Sequence, residues 1–214
     1  MKIILKRAMQ FTALTIMTSI ANADTSTTAS LANELNAIHT YQANFSQVIY
    51  DNHNKALQSS QGKMALQRPG KFRWEITQPI PQLIIANGAK LWIYDADLQQ
   101  VTIRAFTESA GDAPALFLSH PNADIEKNFI VKVLPNKAGV QWYSLTPKSG
   151  ENNFSNIEMG FANNEIQAMN LKDQMGHITK IQFNHINLNT DLSAALFTFK
   201  VPANVDVIDE TKKR

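Results

Sequence analysis

From Tyr41 onward the chain alternates apolar and polar positions with a period of two, and residues that favour turns interrupt the alternation at nearly regular intervals. The clearest stretches are Ile157, Met159 and Phe161 set between Asn156, Glu158 and Gly160, and Ile181 and Phe183 set beside Gln182 and Asn184. Such a pattern predicts strands with one apolar and one wet face. Eleven strands follow: Ala43 to Asp51, Ala56 to Gln67, Phe72 to Thr77, Gln82 to Asn87, Lys90 to Tyr94, Gln99 to Arg104, Phe129 to Leu134, Val140 to Thr146, Phe154 to Phe161, Glu165 to Lys172 and His177 to Leu188. Between them, Asn87-Gly88, Asp95-Ala96-Asp97, Lys137-Ala138-Gly139, Asn163-Asn164 and Met175-Gly176 tolerate positive φ or bond their own backbone, and so predict tight turns and a meander.

Helical signals are few. Leu31, Leu35 and Ile38 recur at helical spacing, which predicts a short amphipathic helix from about Leu31 to His39. Between Phe106 and Pro121, Asp112 is placed to cap a helix and Pro114 suits its first turn. Ala115, Leu116, Phe117 and Leu118 follow before Pro121 ends it, so this helix is apolar all round. It cannot rest on a wet face and is expected to cover an apolar hollow. A further helical turn at Leu192 to Leu196 leads into Phe197-Thr198-Phe199 and a last short strand near Val205 to Ile208, before a charged tail from Asp209. One curved sheet with so little helix to fill it is expected to form an incomplete, half-open antiparallel barrel, mainly β, with the helices as lid or plug. The natural guest of such a hollow is hydrocarbon.

The start of the chain sets the compartment. Lys2, Lys6 and Arg7 precede an apolar stretch from Ala8 to Ile20, and Ala21-Asn22-Ala23 closes it with small residues. This reads as a secretory signal peptide, residues 1–23, with a single domain over residues 24–214. The stretch is too short and too rich in threonine to span a bilayer, so an exported protein without stable membrane insertion is expected. The leader holds three of the 20 basic residues and none of the 18 acidic ones, and the remainder is close to neutral. No nucleic-acid partner is implied. Cysteine is absent, which excludes disulfides and lipid attachment at a cleavage-site cysteine.

Catalytic patterns are missing too. No Gly-x-Ser-x-Gly elbow, Gly-rich phosphate loop or His-Glu-x-x-His motif occurs, and the five histidines are scattered. Neither an enzyme, a metal site nor a cofactor is expected. An envelope hydrolase would need a Ser–His–Asp group that the spacing does not reveal. A lipid-sensing or glycolipid-binding domain on the same scaffold is the other reading, and a monomer suits each.

The run Gly62 to Pro69, then Phe72, Trp74, Gln78-Pro79 and Asn87-Gly88-x-x-Leu91-Trp92-x-Tyr94, resembles the outer-membrane lipoprotein carrier proteins, the LolA family. Phe45-Ser46-Gln47, Leu145-Thr146-Pro147-Lys148 and Phe197-Thr198-Phe199-x-x-Pro202 extend the likeness along the chain in the right order. The resemblance implies a periplasmic chaperone for acylated lipoproteins. It would load from an inner-membrane ABC transporter and unload to an outer-membrane receptor similar to LolB, a receptor that is itself a lipoprotein. It also implies that Arg68, before Pro69, closes a lid formed by residues 112–119, with Pro114, Leu116, Phe117 and Leu118 at its centre. Arg73 and Arg104 are alternative closers. The acyl chains are then expected against Phe45, Phe72, Trp74, Ile85, Trp92, Tyr94, Trp142, Met159 and Phe183. A basic rim at Lys71, Arg73 and Lys90 would suit an acidic receptor patch.

Overall fold

The computed structural model describes residues 23–106, 116–119, 125–149 and 153–211, apart from the side chains of residues 23–26 and of Phe117. The expected leader therefore lies, except for Ala23, outside the described residues, as do Asp112, Pro114 and Pro121. Helix α1 (Ala23–Asn36) precedes strands β1 (Thr40–Tyr50), β2 (Ala56–Gln67), β3 (Lys71–Gln78), β4 (Gln82–Asn87), β5 (Lys90–Asp95) and β6 (Gln100–Ala105). A 3-10 turn (Leu116–Ser119) and the short α2 (Ile125–Asn128) lead to β7 (Phe129–Lys137), β8 (Val140–Pro147), β9 (Phe154–Ala162), β10 (Glu165–Asp173) and β11 (Ile178–Leu188). A second 3-10 turn (Ala194–Phe197) and β12 (Asp206–Asp209) close the chain's order.

The strands form one sheet in the order β12-β6-β5-β4-β3-β2-β1-β11-β10-β9-β8-β7. Two meanders, β1 to β6 and β7 to β11, are joined side by side through the antiparallel pair β1 and β11. The turns use the residues that the sequence offered. Asn163 and Asn164 both adopt positive φ, at 52° and 62°, as a two-residue hairpin turn requires. Asn87 Oδ1 accepts from the amides of Ala89 and Lys90, and Gly88 sits at φ 91°. The last strand departs from the antiparallel rule: β12 runs parallel to β6 and covers what would otherwise be an open edge.

The sheet curls without closing. Laid flat, the step from β2 to β7 would cover about 29 Å at about 4.8 Å per strand. Yet α1, about 21 Å long at 1.5 Å per residue, is bonded at Leu35 to Arg68 just beyond β2 and packs against β7. The inner residues of both meanders consequently meet in one apolar cluster that includes Leu66, Trp74 and Leu91 from one half and Leu145, Met159 and Leu171 from the other.

Helix α1 starts earlier than its apolar stripe and ends sooner. Its first half is a Ser/Thr-rich run without Gly or Pro, and nothing in it opposes continuation of the helix. At the other end Asn189 clasps the junction, accepting from the amides of His39 and Thr40 and donating to the carbonyl of Ala37. That fixes the chain's entry into β1 and orients Leu31, Leu35 and Ile38, each buried, into the hollow.

Candidate functional site

Period-two alternation assigns each lining residue to a face, and the strand register carries the assignment across the sheet. Trp74 pairs with Met64 and Ile84, and Phe72 with Leu66 and Ala86. In the second meander Ile181, Met169, Met159 and Tyr143 lie in one register row. All of these side chains belong to the inner cluster. Phe45 stacks on Trp74 with ring centroids 3.6 Å apart, and Phe72 flanks the same indole at 6.2 Å. Gly62 makes that stack possible: a Cβ there would stand 2.6 Å from the Phe45 ring and 2.0 Å from the Glu75 carbonyl.

Of the expected acyl-lining residues, Phe45, Phe72, Trp74, Met159 and Phe183 meet on this inner face. Ile85, Trp92, Tyr94 and Trp142 do not join them. Ala65, Arg73, Ile85, Trp92 and Ile103 form a register row on the outer face. That face carries a small core of its own, because the segment after β11 folds over it. Phe197 is buried, and Phe199 lies 6.4 Å from the Trp92 ring and 5.9 Å from that of Tyr94. Trp142 is opposite Gly160 on the outer side of the second meander, its indole occupying the space that a side chain at Gly160 would need.

The hollow is plugged from two directions. Leu31, Leu35 and Ile38 enter from α1, and Leu116 and Leu118 enter from the 3-10 turn; all five are fully buried in the inner cluster. Arg68 joins the two plugs. Its Nε donates to the Leu118 carbonyl at 2.9 Å and its Nη1 donates to the Leu35 carbonyl at 2.8 Å. The backbone runs alongside: Arg68 N donates to His39 O, and Gly70 N donates to Ser119 O at 3.0 Å. Gly70 holds φ 73°, and a side chain there would meet the Cα of Gly88 at 2.9 Å. Burial lowers the Arg68 pKa to about 10. The guanidinium thus stays charged at neutral pH, with a planar fork of donors that suits two carbonyls from separate elements.

The other two arginines each form an ion pair with a glutamate. Arg73 pairs with Glu75 at 2.8 Å on the outer face and reaches the Leu196 carbonyl. Arg104 pairs with Glu210 at 2.7 Å beside β12. Pro114 lies outside the described residues, and of Phe117 only the backbone is described. Sequence reasoning found the apolar stripe of α1 and expected the short helices to act as lid or plug; the structure puts Leu31, Leu35 and Ile38 of that stripe in the inner cluster. Among the described residues no group of three or more His, Asp or Glu could hold a metal ion, and no helix is long and apolar enough to cross a membrane.

The family model "Outer membrane lipoprotein carrier protein LolA" matches residues 36–200. The chain is a member of the LolA family. Its similarity to other LolA-family proteins runs through nearly the whole length. An outer-membrane lipoprotein carrier protein of Dechloromonas aromatica is 43% identical over 171 residues, 80% of this chain and 82% of the relative. One of Azotobacter vinelandii is 38% identical over 204 residues, 95% of this chain and 98% of the relative. Among solved structures, an uncharacterised conserved protein of Thermus thermophilus superposes with a TM-score of 0.54 at 12% identity, covering 85% of this chain and 99% of that one. That likeness concerns the fold alone.

Proposed function

We propose that this LolA-family chain is a periplasmic carrier that shelters the acyl chains of lipoproteins in the hollow between α1, the Leu116–Ser119 turn and the inner face of the sheet. It takes its cargo from an inner-membrane ABC transporter and delivers it to an outer-membrane receptor of the LolB kind. It works as a chaperone without chemistry on the cargo.

The observation that carries this reading is the double plug held by one cation. Each methylene kept from water is worth about 0.8 kcal/mol, so bare acyl chains cannot cross an aqueous compartment at a useful rate. A hollow that stayed open and greasy would hold them too firmly to release them. Here Leu116 and Leu118 fill it with side chains of the protein's own, and the cargo must displace them. Arg68, bonded to both plugs, sets how firmly the empty form closes. Closure and cargo binding are alternatives, so their difference, and not the full transfer energy of the acyl chains, fixes the net affinity.

Spheroplasts mixed with the purified protein test the proposal. The expected result is release of lipoproteins as a soluble one-to-one complex, followed by transfer to receptor-bearing membranes. Lipid binding without lipoprotein release would replace the carrier with a sensing domain, and hydrolysis of a lipid ester would replace it with an enzyme.

A further inference from the structure

Among the described residues, two side-chain oxygens are buried without a hydrogen-bond partner, and both lie on the inner face. Gln47 on β1 and Ser60 on β2 are direct cross-strand partners, two residues beyond the Phe45 and Gly62 pair on the same face. They are 6% and 2% exposed, and neither Gln47 Oε1 nor Ser60 Oγ has a hydrogen-bond partner. Ser119, the other buried polar residue among those described, donates its hydroxyl to the Leu116 carbonyl. Two neighbouring buried oxygens without partners are rare in folded proteins and call for an explanation.

Their position suggests one. On the Arg68 side of the hollow the inner residues Leu66, Phe72 and Leu91 are wholly buried. On the Gln47 side the inner positions loosen, and Ile49 and Ile76 are only half-buried. The pair therefore stands just inside the less covered end, with Ile181 beside Gln47 in the register. A guest whose hydrocarbon lies along Phe45, Trp74 and Met159 would bring the first polar group of its chain to this point.

The pair offers an acceptor, the amide oxygen of Gln47, and a hydroxyl that can donate, that of Ser60. The complementary group donates once and accepts once. A secondary amide does both, giving its N–H to Gln47 Oε1 and accepting from Ser60 Oγ at its carbonyl. An ester can accept from Ser60 but leaves Gln47 Oε1 bare, and plain hydrocarbon meets neither. We propose that Gln47 and Ser60 form a subsite that reads the amide joining an acyl chain to an amino group, and so favours N-acylated cargo over cargo carrying only ester-linked chains. This assignment rests on the carrier reading and sharpens it.

The test compares three probes on the full chain by fluorescence titration: N-palmitoylglycinamide, methyl palmitate and diphenylhexatriene, a fluorophore of hydrocarbon alone. Wild type is expected to bind the amide roughly tenfold more tightly than the ester, the scale set by leaving a buried acceptor unpaired. Gln47→Met with Ser60→Ala is expected to bind both lipids alike, at the wild-type ester affinity, with diphenylhexatriene unchanged. Because the atoms removed have no partner, melting temperatures should hold or rise; Ser60→Ala alone, expected to narrow the preference, covers the case in which the double variant folds poorly. Equal binding of amide and ester by wild type, or a preference that survives in the variants, would overturn the subsite while leaving the carrier intact. If wild type binds none of the three probes, the carrier reading falls and the subsite with it.

Discussion

Replacing Arg68 by leucine perturbs closure at its joint. Two hydrogen bonds from a charged donor to the Leu118 and Leu35 carbonyls are lost, at about 1.5–3 kcal/mol each before compensation. Part of that is offset, since the guanidinium no longer has to leave water, the burial that pulls its pKa down to about 10. A net loss of about 1–3 kcal/mol in the closed form remains, or about 5- to 150-fold in the balance between closed and open. Guest affinity rises by up to the same factor, because the observed dissociation constant scales inversely with the fraction of protein open to the guest. Arg68→Leu should therefore bind a fluorescent fatty acid more tightly at neutral pH, release lipoprotein to the receptor more slowly, and melt at a lower temperature when empty. Arg68→Lys should fall between, since one ammonium on a flexible stem replaces a planar fork that serves two carbonyls at once. Unchanged or weaker fatty-acid binding by a folded Arg68→Leu protein would refute the argument.

Three further outcomes are expected. Gly62→Ala should displace Phe45 from Trp74 and press on the Glu75 carbonyl, destabilising the protein by about 1–3 kcal/mol in urea unfolding and changing the tryptophan emission of the empty form. Tyr41→Phe removes the donor to the Ile166 carbonyl, at a point where β10 carries a bulge, and should cost about 1–3 kcal/mol in the same assay; burial raises the Tyr41 pKa, so the native protein should show no titration of that phenol at mildly alkaline pH. Burial alone would raise the Asp173 pKa, but hydrogen bonds from His177 outweigh it and hold the carboxyl below its ordinary value. Its contribution to stability is thus complete above the unfolded carboxyl's pKa and is lost as pH falls through the lower folded one; Asp173→Asn should flatten that part of an acid-unfolding curve.

The strands and turns were largely legible because each rests on local chemistry, alternation within the strand and residues such as Asn163-Asn164 in the turn. The last short strand was legible as well, but its parallel pairing was not, since its four residues acquire their partner only when β6 arrives from about a hundred positions earlier. For a related reason the residues expected to line the hollow divide between the two faces. Phe72 and Trp74 face inward whereas Trp92 and Tyr94 face outward, and periodicity sorts residues into two faces without saying which is the hollow. The usual tiebreak, that the wet face is polar, fails for β3 to β5, where Phe197 and Phe199 cover the outer side. A signal was present nonetheless: Leu83-Ile84-Ile85-Ala86 is continuously apolar, the mark of a strand buried on both faces.

Scale explains why the plug can be so small. An acyl chain of about 16 carbons gains about 13 kcal/mol by leaving water, whereas burying Leu116 and Leu118 gains the closed form about 3–6 kcal/mol. On the proposed reading one arriving chain can thus displace the turn, yet it surrenders a quarter to a half of its gain in doing so. The remainder must not exceed what the next binding site offers, or transfer would stop. A larger plug would refuse cargo, and none would retain it. With the coarse balance set by a few leucines, a single arginine bonded to both covering elements can tune the rest, since its net contribution of about 1–3 kcal/mol is small beside the acyl term but comparable to the difference on which hand-over turns.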